Sequence, residues 1–481
     1  MNGHQENRGK RMSRRAFLAG AAAGGAGVWA VGVMPRWLLT KDPRRPPALY
    51  EYYLDNHWFE SANMYDERIN PPLKGRQRAD IAIVGGGFAG MSVAYNLARR
   101  LSGQRIVLLE GARCGYGASG RNGGFADLGL PGVGYVYEKQ GPEAAREYYD
   151  ATRLGLEQIR TFVDEYGVDC ELELTGATQL ATQESHIERL VEEKERFDQM
   201  GIENVLMDKT AVRRKVTSER FIGGLHDPNH AIVNPAKLAR GMKGVIEKLG
   251  VEVSERSKVM QIEPGASVRL VTEFAEVTAK KAVIALNAYA PLLGFFRGRI
   301  LPVCGYIAAT EPLSPARMES IGWAGREGLW DTRPEFMYLR LTADNRIVFG
   351  GEGGAIFYDS SSSTGNYQPV IEKLHRSLLV TFPQLEGVRF THAGGGTMAI
   401  TQDGMPSVGT VGDAENLFHA VAFNGEGVVM AQLAGRIVAE LIAGEKTPLA
   451  RLAMVNKRLP YIGPEPVRTL GARLYRSIRR L

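Results

Sequence analysis

Three glycines, Gly85, Gly87 and Gly90, stand in the spacing G-x-G-x-x-G, with Phe88 and Ala89 between the last two. Glu110 follows twenty residues after the last of them. Glycines so spaced let a main chain turn sharply and meet a pyrophosphate without side chains in the way. An acid at that distance can accept both hydroxyls of a ribose. The chemistry implied is the holding of a dinucleotide.

The surrounding elements must position these groups. Asp80–Val84 is a short buried-strand pattern that runs directly into the glycines, and Met91–Leu101 has the apolar spacing of a helix. The helix start then offers free N–H groups and a partial positive charge to phosphates. A second apolar strand, Ile106–Leu109, carries Glu110 at its end. Immediately beyond it, residues 115–124 read GYGASGRNGG, five of the ten being glycine. A surface turn would show such a composition too. Placed here, it reads as bare main chain lying against the second side of the pyrophosphate and along a planar ring.

At these residues the chain resembles the D-amino-acid-oxidase superfamily of FAD-dependent oxidoreductases, in the branch that holds gamma-glutamylputrescine oxidoreductase and related amine oxidases. The likeness is carried by Gly85–Gly90, Glu110 and Gly117-Ala118-Ser119-Gly120-Arg121-Asn122-Gly123-Gly124. Asn234-Pro235, Gly404–Gly409 and Asn424-Gly425-Glu426-Gly427 leading into Leu433-Ala434-Gly435-Arg436 add to it. It implies FAD as cofactor, held by these stretches together with Val259, Asn287 and Val428. In the last stretch, a strand pattern over Leu417–Phe423 meets a helix pattern over Val428–Leu441 at a tight turn. The resemblance implies that this second helix start faces the pyrimidine end of the flavin, where positive potential favours the reduced ring.

The expected fold is α/β (α+β). A Rossmann-like FAD-binding domain is assembled from the separated segments 79–140, 225–290 and 390–445. A second domain, over 141–224 and 291–389, is expected to form an antiparallel sheet facing the substrate. Phe336, Tyr338 and Arg340 would share one face of a strand there, with Met337, Leu339 and Leu341 on the other. Residues 41–78 read as an irregular extension wrapping the body. Residues 446–481 form a basic tail whose helical spacing from Val467 suits either docking on the body or an anionic membrane surface.

Two departures from the family narrow the substrate. Oxidases of simple amino acids carry a carboxylate-gripping arginine five residues before the Asp of a T-x-D-G-x-P segment. Here that segment is Thr401–Pro406, and position 398 is methionine. Without the guanidinium fork an amine is favoured over a small amino acid, unless Arg333, Arg340 or Arg346 replaces it. The second departure is Glu426, where the branch usually has histidine. It would attract a cationic amine and oppose an anionic reduced flavin, or point to solvent and do neither. Trp330, Phe336 and Tyr338 with Asp331 and Glu335 can cage an ammonium group or simply pack a sheet. No catalytic residue is fixed by this reading; Tyr338, Glu426 and Met398 are the candidates. His226 and His230 flank Asp227 in a turn-like stretch that reads as solvated or structural.

The formal charge is +6. It is concentrated at the ends, while residues 79–445 carry 37 Lys/Arg against 45 Asp/Glu. An acidic body without interleaved basic and aromatic residues argues against nucleic acid. Ser13-Arg14-Arg15 with Phe17-Leu18, before an uncharged run from Ala16 to Met34, resembles a twin-arginine export signal. A plain membrane anchor is the other reading of this segment (residues 1–40). Export by the twin-arginine translocase would leave the protein periplasmic, or anchored on the periplasmic face of the inner membrane. Cys114, Cys170 and Cys304 lack metal-ligand or C-x-x-C spacing and read as inert buried thiols. The function expected is oxidation of a primary or secondary amine, with O2 or quinone as final acceptor. The alternatives are a membrane-associated dehydrogenase of an amino or hydroxy acid passing electrons to quinone, and an exported flavoprotein that only transfers electrons.

Overall fold

The computed structural model describes residues 56–356, 368–412 and 414–479. The expected signal segment lies outside them. Strand Gly75–Val84 begins five residues before the apolar run. Its first half, with Arg76 and Arg78 exposed, pairs only with Ala275–Ile284, whereas from Ile81 onward Ile106–Leu109 joins on the other side. Pairing on both edges explains why the chain becomes continuously apolar there.

These strands lie in a sheet of order Ser407–Val411, Ala414–Val421, Ala275–Ile284, Gly75–Val84, Ile106–Leu109, Glu252–Ser254. All are parallel except the antiparallel edge Ser407–Val411. Val268–Val271 and Gln261–Glu263 extend Ala275–Ile284 as an antiparallel meander. Four helices, Phe88–Arg100, Pro142–Tyr166, Pro235–Lys248 and Gly427–Ala443, share one large core on the sheet. They cross closely because small residues stand at the crossings: a Cβ on Gly435 would lie 2.3 Å from Ser92 Oγ, and one on Gly155 2.6 Å from Val429 O. Pro142–Tyr166, grouped with the substrate side by the sequence reading, thus packs on the dinucleotide side. A buried strip of Tyr148, Tyr149, Thr152, Leu156 and Ile159, spaced by three and four residues, carries that packing.

The second sheet has the order Phe390–Ile400, Leu301–Thr310, Ile347–Gly351, Met337–Leu341, Gly328–Asp331, Ala177–Ala181, Gly223–Asp227, Val205–Asp208. It is antiparallel apart from the Gly328–Asp331/Ala177–Ala181 pair. Met337, Leu339 and Leu341 enter its core, and Tyr338 and Arg340 point to the opposite face. Phe390–Ile400, grouped with the FAD segments by the sequence, pairs along its length with Leu301–Thr310. Its Gly394-Gly395-Gly396 run gives no strand pattern, yet it lets the glycine loop approach: a Cβ on Gly396 would lie 3.4 Å from Ala118 Cα.

The extension is not wholly irregular. Asn56 caps a short helix, His57–Ser61, by accepting the Trp58 N–H. Trp58, Phe59 and Met64 are buried against Ala236, Ile307, Ala309 and Val348. At the other end, helix Val467–Arg479 docks by its first turn, where buried Arg468 donates to Ile300 O at 3.0 Å. Among the described residues no helix is long and apolar enough to cross a membrane. Cys114, Cys170 and Cys304 are buried thiols, as expected.

Candidate active site

The carboxyl end of strand Gly75–Val84 is a bare cradle. Gly85 has φ +111, and a Cβ there would lie 2.5 Å from Ala285 O; at Gly90 it would lie 1.9 Å from Gly85 O. Neither position tolerates a side chain. Gly87 is the N-cap of helix Phe88–Arg100 and supplies no side-chain cap, so first-turn N–H groups beyond that of Phe88 stay open to a phosphate. Ser119 Oγ accepts the Phe88 N–H at 2.9 Å, which brings the glycine loop to that helix start. Glu110 accepts the Gly86 N–H at 2.7 Å and the Ala112 N–H at 2.8 Å. Burial pushes its carboxyl above the usual range. Val259 is buried beside Val84 and Leu109, in the segment flanking Glu110. Open helix-start donors, no room for Cβ atoms and an acid at the strand end fit the pyrophosphate and ribose of FAD.

The loop Gly117–Gly124 is held from behind. The Asn122 side chain donates to Ala118 O and Ser119 O and accepts the Gly124 N–H. Asn56 Nδ2 donates to Gly120 O at 2.7 Å and Trp58 Nε1 to Asn122 O at 2.9 Å. The Arg121 guanidinium lies over the Phe59 and Tyr116 rings, at 4.5 and 4.7 Å. Gly123 leaves room for the Tyr338 ring, 2.8 Å from where its Cβ would be. Asn287 and Asn424 have positive φ and tie the strand ends together: Asn287 accepts the Ala422 N–H and Asn424 the Thr401 N–H. The turn Asn424–Gly427 then delivers helix Gly427–Ala443, with Val428 buried in its first turn. Met398 lies against this turn, its sulfur 3.4 Å from where a Gly425 Cβ would be.

Glu426 does not point to solvent. Its carboxyl lies against that of Asp127, and burial, then the Asp127 charge, lifts its pKa to about 8. Burial, then the nearby Glu426, also raises the Tyr338 phenol. Asp127 Oδ1 meets His230 Nδ1 at 2.7 Å, and His230 Nε2 meets Asp227 Oδ2 at 3.1 Å. His230 is therefore not a solvated turn residue. Burial alone would lower its pKa, but the two flanking carboxylates override it and lift it to about 10. His226, by contrast, lies beside the Thr178 hydroxyl at 2.9 Å, outside this chain of groups.

Aromatic rings wall the carboxyl pair. Phe125 meets Tyr338 edge-on at 5.8 Å and Trp330 at 6.2 Å, and His230 lies 5.9 Å from Trp330. The acids expected in this cage are engaged elsewhere: Asp331 pairs with Arg333, and Glu335 with Lys373. Their place is taken by Glu426 and Asp127. The three arginines considered as carboxylate grips are also committed. Arg333 pairs with Asp331 and Glu352, Arg346 with Asp344, and Arg340 donates to Gly124 O and Val233 O. Asp127 and Phe125 were missed by the sequence reading; their only signal was a lone acid in the apolar stretch Phe125-Ala126-Asp127-Leu128.

Comparison with known proteins agrees with this architecture. The family model described as "FAD dependent oxidoreductase" (DAO) matches residues 80–441. The chain is 33% identical over 411 residues to a probable oxidoreductase OrdL of Haemophilus influenzae, covering 83% of this chain and 91% of the relative. It is 32% identical over 402 residues to the gamma-glutamylputrescine oxidoreductase of Escherichia coli, covering 82% and 90% respectively. Glycine oxidase from Geobacillus kaustophilus shares the fold, with TM-score 0.66 at 22% identity over 79% of this chain and all of that one. The chain belongs to the DAO family of FAD-dependent oxidoreductases and is an enzyme of the amine and amino-acid oxidase type.

Proposed function

We propose that this enzyme oxidises a primary or secondary amine at its C–N bond by hydride transfer to flavin N5. The observation that carries the reading is the carboxyl pair of half-buried Glu426 and buried Asp127, beside the ring cluster of Phe125, Trp330 and Tyr338. Such a pocket suits an ammonium group: the rings present their negative faces and the pair supplies net negative charge. Met398 stands where a carboxylate-gripping arginine would, and the nearby arginines are bound to other groups. The gamma-glutamylputrescine relative, by its name, acts on an amine.

FAD, when bound, supplies the hydride acceptor. The chain's own contributions are placement and charge. Gly85–Gly90, Glu110 and the loop Gly117–Gly124, with Val259 and Asn287, hold the cofactor. Asn424–Val428 would help hold it, and the partial positive charge of their helix start would favour its reduced form. Tyr338 and Met398 shape the substrate side. Dioxygen or a quinone takes the electrons, and export by the twin-arginine route to the periplasm, with contact to the membrane surface, completes the proposal.

The test is anaerobic mixing of the FAD-loaded protein with butylamine, N-methylbutylamine, 1,4-diaminobutane, a γ-glutamyl-capped diamine, glycine and D-alanine. Bleaching of the flavin absorbance by amines and not by the two amino acids is expected. Bleaching by glycine or D-alanine alone would overturn the amine reading. Oxygen uptake against quinone reduction, measured on the same substrate, decides the acceptor.

A further inference from the structure

Asp127 follows the short strand Phe125–Ala126, and Glu426 closes the turn before helix Gly427–Ala443. Their carboxyl groups lie together, Glu426 half-buried and Asp127 buried, and a chain of buried groups continues behind them. Asp127, His230 and Asp227 are only 8%, 5% and 6% exposed. Both ring nitrogens of His230 face carboxylate oxygens, so both must carry protons. Asp227 is fixed in turn by the Asn229 N–H and side chain, each at 2.8 Å, and by the Tyr149 hydroxyl at 3.3 Å. The charged groups acting on Glu426 are Asp127 and His230. Tyr338 lies near it on strand Met337–Leu341; Phe125 packs on Tyr338, and Trp330 on Phe125 and His230.

This arrangement is more elaborate than a cation site needs. One carboxylate would attract an ammonium group. Here a second carboxylate, held in place by an imidazolium and a third carboxylate, works on the proton affinity of the first. An ordinary glutamate is far too weak a base for an ammonium nitrogen, and a base is effective when its affinity lies near working pH.

We propose that Glu426 is the base that removes the proton from the substrate's ammonium nitrogen, with Asp127, His230 and Asp227 as positioning residues that set its basicity. The inference rests on the amine reading given above. In the step, an N–H bond breaks, its electron pair stays on nitrogen as the lone pair, and the proton forms an O–H bond on Glu426. Nothing is oxidised or reduced. The neutral amine is the form able to release hydride, and protonated Glu426 then donates a hydrogen bond to Asp127. With the proton taken up, Glu426 also ceases to oppose the positive helix start behind it. A carboxylate beside a site that must favour a reduced anion thus discharges itself before the charge arrives.

The experiment uses the full FAD-loaded chain. Anaerobic flavin reduction by the fastest amine of the panel is followed from pH 6 to 10. The wild type should rise through an inflection near 8. Glu426→Gln should lose the inflection and slow reduction at high pH by about 10²–10⁴-fold. Asp127→Asn should move the inflection to lower pH while Glu426 remains. A second readout needs no turnover: tetramethylammonium, which has no N–H, is titrated calorimetrically in buffers of different ionisation enthalpy. Binding at pH 7 should release close to one proton from wild type and none from Glu426→Gln. Glu426→Gln reducing at a wild-type rate with the inflection intact overturns the inference while the amine reading stands. So does tetramethylammonium binding without proton release, or failing to bind at pH 9. If Glu426→Gln does not hold flavin, an unmoved inflection in Asp127→Asn overturns the inference equally. If no amine reduces the wild-type flavin, the amine reading falls and this inference with it.

Discussion

Arg340 offers a test of how charge is spent behind the cofactor loop. Its guanidinium is fully buried and donates to Gly124 O at 3.0 Å, Val233 O at 2.7 Å and Leu341 O at 3.2 Å. It lies 5.2 Å over the Trp58 ring, and among the described residues no carboxylate pairs with it and its Nη2 has no hydrogen-bond partner. Burial lowers its pKa from the usual guanidinium range to about 10. That shift corresponds to ~3 kcal/mol against the charged form. In Arg340→Met this cost disappears. Gly124 O keeps a donor, the Val233 N–H at 2.8 Å, and the Leu341 O contact is the longest of the three at 3.2 Å, so Val233 O is the carbonyl that loses most. An unsatisfied buried carbonyl costs ~1–3 kcal/mol, and the lost stacking on Trp58 ~1 kcal/mol. The terms nearly cancel, and Arg340→Met should unfold within ~1–2 kcal/mol of wild type. Arg340→Ala adds a cavity and should lose ~2–4 kcal/mol more. Arg340→Lys, a point charge without the fork, should be worse than Met. Urea unfolding of the FAD-loaded proteins, read by intrinsic fluorescence, measures all three. A loss above ~4 kcal/mol in Arg340→Met, or wild-type stability in Arg340→Lys, would refute the reasoning, since either requires an ionic partner for this charge.

Other consequences are as direct. Gly90→Ala places a methyl 1.9 Å from Gly85 O and should yield protein that loses FAD on gel filtration; yellow protein at full occupancy would contradict the cradle. His419 is buried against Ser407 Oγ at 2.8 Å, and burial lowers its pKa to about 4. Because the unfolded imidazole protonates first, its stabilisation is present above pH 6.5 and lost as pH falls toward 4. Between pH 7 and 5 wild type should lose ~2 kcal/mol relative to His419→Gln in urea midpoints, and parallel curves would deny the effect. All three thiols should ignore Ellman's reagent in the native protein and react once it is denatured, burial having pushed Cys114 well up and Cys170 to about 12. One fast native thiol would contradict this.

What was legible in the sequence was local. Gly85–Gly90 and Glu110 sit within one strand–helix–strand unit, so spacing alone places them. The alternation around Tyr338 identified a two-faced strand because one face enters the core. The carboxyl pair was not legible, since Asp127 and Glu426 come from distant segments and only tertiary packing unites them. His230 was legible only as solvated or structural: beside Asp227 and Asn229 it looks like a polar turn, and the packing with Trp330 from another strand, which goes with its structural role, leaves no local signal. Phe390–Ile400 lacked any strand signature because its glycines serve an approach between backbones rather than a side-chain pattern.

The short helix His57–Ser61 has a practical corollary. Family matching starts at residue 80, which invites trimming everything before it. Yet Asn56 and Trp58 are the fasteners on Gly120 and Asn122. A recombinant version begun at residue 75 would keep every strand of the parallel sheet and still leave its flavin clasp unlatched, so a minimal enzyme has to start upstream of Asn56.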